Sequence, residues 1–263
     1  MKTKALRLDD AVAQRAAITR SQARSLIMEG RVRVDGAVAH KAGQRVAAGA
    51  GIEIERPRRF VSRGGEKLEA ALDAFGIDVT GMQALDVGAS TGGFTDCLLQ
   101  RGAAHVTAVD VGYGQLDWRL RSDARVQVVE RTNFRRLPGD AFPAGFDLIV
   151  IDASFISVVT ILERARTYLR EGGAIVALIK PQFEAGRRRL GRGGVVRDPA
   201  VHRAVLGEVR DALPPLGLTA AGLIASPLLG PAGNREFLME IRCGGVGIDD
   251  ARIGAVLAEA PPS

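Results

Sequence analysis

The apolar residues of this chain follow two patterns that meet near residue 60. In the first part, apolar residues recur at helical spacing over residues 6–12 and 21–27, and valine then alternates with arginine from Arg31 to Val34. Apolar residues three or four apart predict amphipathic helices, and strict alternation predicts a half-buried strand. Asp35-Gly36 follows directly and has the composition of a two-residue hairpin turn. The pattern predicts a small α+β unit over residues 1–55.

From residue 62 onward, strand-length apolar runs alternate with helical segments. We predict strands near 83–87, 105–110, 126–129, 146–151, 173–179, 218–225 and 235–242, and helices near 65–75, 93–101, 157–169 and 198–213. Such alternation is the signature of a doubly wound α/β fold. We therefore expect a Rossmann-like domain with a seven-stranded, mostly parallel sheet over residues 62–245. A connector at 56–61, in which Pro57 argues against a helix, precedes it, and a tail at 246–263 follows.

Charge is distributed unevenly between these two parts. Residues 1–61 carry 13 Lys+Arg against 6 Asp+Glu, a net charge of +7, whereas residues 62–263 carry 23 against 24, a net charge of −1. A basic module joined to a neutral one favours contact with a polyanion, because neutralising phosphates releases counterions. A basic surface that only keeps the protein in solution is the alternative.

Composition disfavours several classes of protein. The longest apolar runs have the length of strands, too short to span a bilayer, and the N-terminus lacks the apolar core of a secretory signal. The two cysteines form no C-x-x-C pair and the three histidines are scattered, so we predict neither a disulfide framework nor a metal site. We expect a cytoplasmic monomer that binds neither metal nor membrane.

A glycine-rich turn follows the first predicted strand of the large domain and opens into a helix. There the backbone can approach a ligand closely, and the helix amides can bind an anionic group. Asp110, which ends the next strand, can accept hydrogen bonds from two ribose hydroxyls, and no P-loop lysine follows the glycines. These features favour an adenosyl ligand. The candidate cofactor-binding residues are Asp86, Gly88, Ala89, Ser90, Thr91, Gly92, Gly93, Phe94, Asp110 and Asn133; Asn133 is equally consistent with an ordinary turn.

Four further polar residues fall where such a sheet would bring them together. Asp152 follows the fourth predicted strand and Lys180 the fifth, and ligands of open α/β sheets bind at the carboxyl ends of the strands. Lys67 starts the helix that precedes the first strand, and Glu236 opens the last strand. We predict that these four residues are catalytic. Salt bridges that only stabilise the sheet edge are the alternative.

Several motifs resemble known families. R-L-D at 7–9, T-R-S-Q-A-R at 19–24 and G-R-V-R-V-D-G at 30–36 resemble the S4 RNA-binding domain. D-V-G-A-S-T-G-G-F-T at 86–95 with V-D-V-G-Y-G-Q-L at 109–116 is similar to class I S-adenosylmethionine-dependent methyltransferases. Lys67, Asp152, Lys180 and Glu236 match the Lys-Asp-Lys-Glu set of FtsJ-like 2′-O-ribose methyltransferases. With S-R-G-G-E-K-L, D-A-S-F, I-K-P-Q-F-E and G-N-R-E-F, nearly the whole chain resembles the TlyA family of ribosomal RNA methyltransferases.

This resemblance implies S-adenosylmethionine-dependent methylation of cytidine 2′-hydroxyls in ribosomal RNA of the small and, in some members, the large subunit. Lys180 would orient or deprotonate the hydroxyl, Asp152 would steer the hydroxyl or the methyl group, and Lys67 and Glu236 would complete the hydrogen-bonded frame. Ribosomal RNA and ribosomal subunits are the expected partners. The arginines that we expect to contact RNA are Arg7, Arg20, Arg24, Arg31, Arg33, Arg58, Arg59, Arg187, Arg188 and Arg189.

Two details qualify the resemblance. The D-A-S-F segment at 152–155 differs from the D/N-P-P-Y/F turn of enzymes that methylate amino groups of bases, which favours ribose as the target; Phe155 could stack on a flipped base or belong to the core. The family linker R-x-W-V stands here with Phe60 in place of tryptophan. A non-catalytic RNA-binding or ribosome-assembly protein, a membrane-active hemolysin and a small-molecule methyltransferase remain the alternatives.

Overall fold

The computed structural model describes residues 5–47, 49–55, 59–186 and 189–259. The chain divides into two compact units, Met1–Arg59 and Phe60–Ser263. Each unit buries its own apolar residues, in one cluster for the first unit and in two for the second.

The first unit combines two helices with short antiparallel strands. The helices are α1 (Leu8–Ala16) and α2 (Arg20–Met28), and the strands are β1 (Leu6–Arg7), β2 (Val32–Val34), β3 (Ala37–Val38), β4 (Arg45–Val46) and β5 (Ile52–Ile54). Asp35 and Gly36 join β2 to β3 with φ values of 50° and 82°. Positive φ at both positions is what a tight hairpin of this length requires, so the predicted hairpin is confirmed.

The second unit is built on a seven-stranded sheet. Its strands are β6 (Gln83–Val87), β7 (His105–Val109), β8 (Val126–Val129), β9 (Phe146–Ile151), β10 (Leu169–Ile179), β11 (Thr219–Ala225) and β12 (Phe237–Arg242), in the order β11-β12-β10-β9-β6-β7-β8. The five strands from β10 to β8 are parallel, whereas β12 is antiparallel to both β10 and β11. The predicted fold class is confirmed.

Helices cover both faces of this sheet. They are α3 (Gly64–Phe75), α4 (Gly93–Gln100), α5 (Trp118–Arg121), α6 (Val158–Ala165), α7 (Pro181–Glu184), α8 (Pro199–Asp211) and α9 (Asp250–Ala258). Successive strand residues point to opposite faces: Leu148 and Val150 pack with α3 and α4, whereas Ile149 and Ile151 pack with α6 and α8. Burial on both faces explains why the strand sequences are continuously apolar.

The structure corrects the predicted boundary between α6 and β10. The predicted helix over 157–169 ends at Ala165, one turn of 3₁₀ helix follows, and β10 begins at Leu169 instead of 173. Gly172 and Gly173 indicated a break in the sequence, but the strand passes through them with a register shift between Leu169 and Ala174. Glycine is needed there, because a Cβ on Gly173 would lie 3.0 Å from the carbonyl oxygen of Asp147.

The predicted tail at 246–263 is wrong for the residues of α9. Ile253 and Val256 of this helix are fully buried in the core of the second unit. The Arg235 guanidinium donates hydrogen bonds to backbone carbonyls at its C-terminal end, including that of Val256 at 2.9 Å. The connector predicted over 56–61 also ends early, since Phe60 is 2% exposed and packs in the second unit. A Cβ on Gly65 would overlap its ring, so glycine lets α3 accept the phenylalanine.

Candidate active site

Three of the four predicted catalytic residues sit at one edge of the sheet. Asp152 directly follows β9 and Lys180 directly follows β10, two adjacent parallel strands whose carboxyl ends share an edge. Ile179 pairs with Phe237 across the antiparallel β10 and β12. The next residue along β10, Lys180, therefore neighbours Glu236, which precedes β12.

Lys67 completes this group from the first turn of α3. Its ammonium nitrogen lies 2.5 Å from Oε2 of Glu236, and the side chains are 8% and 1% exposed. Gly230 leaves the room that Glu236 occupies, since a Cβ there would lie 2.4 Å from Oε1 of the glutamate. Removing one partner of such a buried pair leaves an uncompensated charge, so the pair is strongly coupled.

Lys180 and Asp152 form a second pair that is more accessible. The Lys180 Nζ atom lies 2.6 Å from Oδ1 of Asp152 and donates a hydrogen bond of 2.8 Å to Oγ of Ser154. The contact with Asp152 is too poorly aligned to count as a hydrogen bond, so Oδ1 is a buried acceptor without a well-placed donor. These side chains are 11% and 26% exposed, which leaves the pair within reach of a ligand.

A cavity of about 510 Å³ opens beside the second pair. Its lining includes Gly88, Ser90, Asp110, Gly112, Gln115, Thr132, Asn133, Phe134, Arg135, Asp152, Ser154 and Phe155. Lys180 approaches it through its contacts with Asp152 and Ser154. The Lys180–Asp152 pair and the glycine-rich turn therefore border one space.

Four of the predicted cofactor-binding residues line this cavity: Gly88, Ser90, Asp110 and Asn133. Gly88 has φ 87°, and a Cβ there would lie 2.6 Å from the carbonyl oxygen of Asp152, so the turn has no room for a side chain. Asp110 accepts backbone hydrogen bonds from Ser90 at 2.8 Å and Gly112 at 2.6 Å. An ionised carboxylate offers about four acceptor positions, which leaves some for ribose hydroxyls.

Two family models match the chain. The model described as FtsJ-like methyltransferase matches residues 60–242, and the model described as S4 domain matches residues 6–52. This chain belongs to the FtsJ-like methyltransferase family. The match spans the elements that carry both lysine–carboxylate pairs and the glycine-rich turn.

Characterised and solved proteins agree with this membership of the FtsJ-like family. The chain is 49% identical over 227 residues to a protein of Mycobacterium tuberculosis named 16S/23S rRNA (cytidine-2′-O)-methyltransferase TlyA, covering 85% of this chain and 84% of the relative. It is 39% identical over 221 residues to Hemolysin A of Brachyspira hyodysenteriae, covering 84% and 92%. A solved structure described as a hemolysin from Streptococcus thermophilus superposes with a TM-score of 0.74 at 40% identity, covering 97% and 95%.

The described residues of this FtsJ-like methyltransferase contain neither a membrane-spanning helix nor a cluster of metal ligands. Over residues 5–47, 49–55, 59–186 and 189–259, no helix has the length and apolar character needed to cross a bilayer. Within the same ranges, no three histidine, cysteine, aspartate or glutamate side chains converge as metal ligands would.

The other six predicted cofactor-binding residues of the methyltransferase do not line the cavity, and several of them pack beneath the glycine-rich turn. Asp86, Ala89, Thr91, Gly92, Gly93 and Phe94 are not among the described residues that line the cavity. Gly92 and Gly93 allow close packing, because a Cβ on either would overlap Leu120 or Ser62 respectively. Phe94 is 3% exposed in the core. Gly92 and Gly93 therefore allow the turn to pack closely against its neighbours.

Asp86 lies fully buried under the turn. Its Oδ2 atom accepts hydrogen bonds from the backbone nitrogen of Thr95 at 3.0 Å and from its hydroxyl at 2.7 Å, whereas Oδ1 has no partner. Burial raises the pKa of Asp86 to about 7, against the opposing effect of the Thr95 hydrogen bonds. Asp86 thus anchors the start of α4 as a carboxyl group that titrates near neutral pH.

Hydrogen bonds and a ring contact join residues 154–158 to residues 180–184, which the sequence did not predict. The Glu184 carboxylate accepts hydrogen bonds from the Ser157 hydroxyl and the Val158 backbone nitrogen, each at 2.7 Å. The rings of Phe155 and Phe183 lie 5.0 Å apart. With the Ser154–Lys180 hydrogen bond, these contacts join residues 154–158 to 180–184. The I-K-P-Q-F-E motif contained Glu184, but its partner could not be identified without the fold.

Phe155 is 89% exposed and has φ 64°, in the left-handed region that a residue with a Cβ rarely adopts. It lines the cavity, so it does not belong to the core. An exposed aromatic ring in a strained backbone conformation that lines a cavity is typical of a functional position.

In the S4 unit, three of the predicted RNA-binding arginines meet at one carboxylate. Arg7, Arg20 and Arg24 place guanidinium nitrogens 2.9 Å, 3.1 Å and 3.1 Å from Oδ2 of Asp9. Asp9 is fully buried, whereas the three arginine side chains are 40%, 47% and 53% exposed. Hydrogen bonds from these arginines, that from Arg7 first, hold the pKa of Asp9 well below its ordinary value despite burial.

The other predicted RNA-binding arginines are more dispersed. Arg31 pairs with Glu29 at 2.9 Å, Arg33 donates to the Gly36 carbonyl at 3.1 Å, and Arg59 is exposed. Arg189 is engaged by Glu208 of α8, with its Nη1 atom 2.6 Å from the carboxylate. The remaining three, Arg58, Arg187 and Arg188, lie outside the described residues.

Proposed function

We propose that this protein transfers a methyl group from S-adenosylmethionine to the 2′-hydroxyl of cytidine in ribosomal RNA. The observation that carries the proposal is the pairing of Lys67 with Glu236 and of Lys180 with Asp152 at one sheet edge, beside a cavity that the glycine-rich turn borders. The name of the Mycobacterium tuberculosis relative supports cytidine in ribosomal RNA as the substrate. A ribosomal substrate implies a cytoplasmic location.

The cavity fits the proposed cofactor in size and in chemistry. Drug-sized ligands occupy pockets of roughly 300–1,000 Å³, and this one measures about 510 Å³. Gly88 admits the ligand to the backbone, Asp110 holds the ribose hydroxyls, and Asn133 supplies a polar contact for the base. When bound, S-adenosylmethionine supplies a methyl group activated by a sulfonium.

The two pairs divide the remaining work between them. Lys180, held by Asp152 and Ser154, orients the ribose hydroxyl and, in its neutral amine form, accepts the proton that the hydroxyl loses as the oxygen attacks, becoming the ammonium. The Lys67–Glu236 pair fixes the neighbouring end of β12 and closes that side of the site. Phe155 offers its exposed ring to the target base.

The choice of lysine at these positions supports a chemical role. Lys67 and Lys180 are the two lysines among the 23 Lys+Arg of residues 62–263. An arginine would supply the positive charge equally well, but a guanidinium stays protonated under all ordinary conditions. In residues 62–263, which otherwise use arginine for positive charge, a lysine at position 180 is explained if an amine must exchange a proton.

Three substitutions at Lys180 test this role. Lys180→Ala should abolish transfer of tritiated methyl groups to purified ribosomal subunits, while S-adenosylmethionine binding measured by calorimetry stays nearly unchanged. Lys180→Arg keeps the charge and should be equally inactive, since its guanidinium accepts no proton. Lys180→Met supplies an uncharged side chain of similar length.

Arg203→Ala, a substitution of an exposed arginine of α8 in the second unit, is the control and should leave turnover unchanged. Activity retained by Lys180→Arg but lost in Lys180→Met would assign Lys180 an electrostatic role only. Activity retained in all three variants would refute the proposed mechanism.

A further inference from the structure

The arrangement of charge around Asp9 in the S4 unit has two opposite interpretations. A carboxylate beside three arginines neutralises part of their charge, which weakens the attraction of a polyanion. The same carboxylate also holds three guanidiniums in fixed positions, which favours an anion that fits between them. The first interpretation makes Asp9 a cost to RNA binding, and the second makes it a requirement.

We propose that Asp9 is a positioning residue that organises Arg7, Arg20 and Arg24 into a binding site for the phosphodiester backbone of structured RNA. This inference deepens the proposed function by assigning its RNA contact to one cluster. Asp9 itself is fully buried, so its role would be exerted through the arginines.

The hydrogen bonds of the cluster support the organising role. Arg7 binds both carboxylate oxygens, with Nε 3.0 Å from Oδ1 and Nη2 2.9 Å from Oδ2, in the bidentate geometry that fixes a guanidinium plane. Arg20 and Arg24 each bring Nε to within 3.1 Å of Oδ2. Each guanidinium has five N–H donors, and at most two of each are directed at Asp9. The outer donors of three partly exposed side chains are therefore held next to one another.

Backbone hydrogen bonds hold the Asp9 carboxylate in place. Asp9 lies in the first turn of α1, and its backbone nitrogen donates to the Ala42 carbonyl at 3.0 Å. Its Oδ1 atom accepts a further hydrogen bond of 3.1 Å from the Asp10 backbone nitrogen. Long arginine side chains lose rotamer entropy when they bind a ligand, and a cluster ordered beforehand loses less.

One further arginine and one further aspartate lie beside the cluster. Arg7 on β1 is the register partner of Arg45 on β4, and Arg45 is exposed. Asp10 is 37% exposed, and its Oδ1 atom lies 3.1 Å from Nε of Arg20. It carries the same negative charge as Asp9 but lies at the edge of the cluster. The two neighbouring aspartates therefore provide a matched pair of substitutions.

Asp9→Asn and Asp10→Asn each add one positive charge, and they separate the two interpretations. Affinity of the full-length protein for a fluorescently labelled RNA hairpin is measured by anisotropy without S-adenosylmethionine. If Asp9 organises the site, Asp9→Asn weakens binding on the order of tenfold despite the added charge, whereas Asp10→Asn stays within about twofold of wild type. Binding by Asp9→Asn that is unchanged or tighter overturns the proposal.

A second pair of variants covers the case in which Asp9→Asn melts the S4 unit, which circular dichroism would reveal. Arg24→Gln removes one guanidinium from the cluster, and Arg15→Gln removes an exposed arginine from the last turn of α1. Arg24→Gln should reduce affinity more than Arg15→Gln and lower the slope of log affinity against log salt by about 0.9, as expected for one lost phosphate contact. Equal losses from both would contradict a built site. Because this assay measures RNA binding alone, its failure is distinguishable from failure of methyl transfer.

Discussion

At the scale of single residues, what distinguishes this protein is which of its charged groups are buried and what they contact. The side-chain types at the active site follow from the sequence, because Asp152 and Lys180 each end a predicted strand at the edge where ligands bind. Their pairing does not follow from it. That Lys67 contacts Glu236 rather than Asp152 depends on how α3 packs against β12, which residue spacing does not specify.

The raised pKa of Asp86 predicts how thermal stability depends on pH. Its folded-state pKa of about 7 lies above the ordinary value of 3.8, so the folded protein retains a proton that the unfolded chain releases. The stability that the protonated Asp86 contributes to the folded state is present in full below about pH 4 and is lost as the pH rises from there through 7. Asp86→Asn resembles the protonated form. Raising the pH from about 6 to 8 should therefore lower the Tm of wild type relative to the variant, at roughly 2–4 °C per kcal/mol.

Thermal unfolding followed by circular dichroism at several pH values checks this expectation for Asp86. Asp96→Asn is a suitable comparison, because Asp96 lies on α4, the helix whose start Asp86 anchors, but is only partly buried. Parallel Tm curves for wild type and Asp86→Asn would mean that Asp86 stays ionised in the folded protein.

At the scale of elements, the contact between residues 154–158 and 180–184 predicts a role for Glu184. Its carboxylate binds the first residues of α6 and thereby holds the segment that carries Ser154 and Phe155 against Lys180. Glu184→Ala should reduce kcat by roughly tenfold to a hundredfold with little change in the KM for S-adenosylmethionine, because small displacements of reacting groups are costly. Glu184→Gln keeps one acceptor oxygen and should lose less.

Steady-state kinetics tests the Glu184 prediction, with Glu163→Ala as control, since Glu163 is an exposed glutamate of α6. Burial raises the pKa of Glu184, so its carboxylate is protonated closer to neutral pH than that of an exposed glutamate. Wild-type activity should therefore fall as the pH is lowered and Glu184 becomes protonated, whereas Glu184→Gln should show no such fall. Unchanged kcat in Glu184→Ala would show that α6 positions these residues without it.

The elements themselves were largely predictable, and the exceptions have physical reasons. All seven strands of the large sheet lie where apolar runs predicted them, because burial on both faces makes such runs long and unambiguous. The start of β10 was missed because two glycines that accommodate close backbone packing resemble a turn in sequence. Helix α9 was missed because it buries only Ile253 and Val256, which leaves a weak apolar pattern, although Asp249, which accepts a hydrogen bond from the Arg252 backbone nitrogen, is a recognisable cap.

At the scale of the whole molecule, the division of charge follows the division into units. The S4 unit holds the excess of basic residues, and the second unit is nearly neutral and holds the cavity and both lysine–carboxylate pairs. Under the proposed function, we expect most of the affinity for RNA to come from the S4 unit and the chemistry from the second unit. Binding should therefore weaken steeply with salt, and turnover at saturating RNA much less.

The most direct test of the central claim is to identify the atom that receives the methyl group. Ribosomal subunits are incubated with the protein and S-adenosylmethionine, the RNA is digested to nucleosides, and the products are separated by mass spectrometry. We expect 2′-O-methylcytidine with wild type and none with Lys180→Ala. A cytidine methylated on the base, or 2′-O-methylcytidine formed equally by the variant, would contradict it.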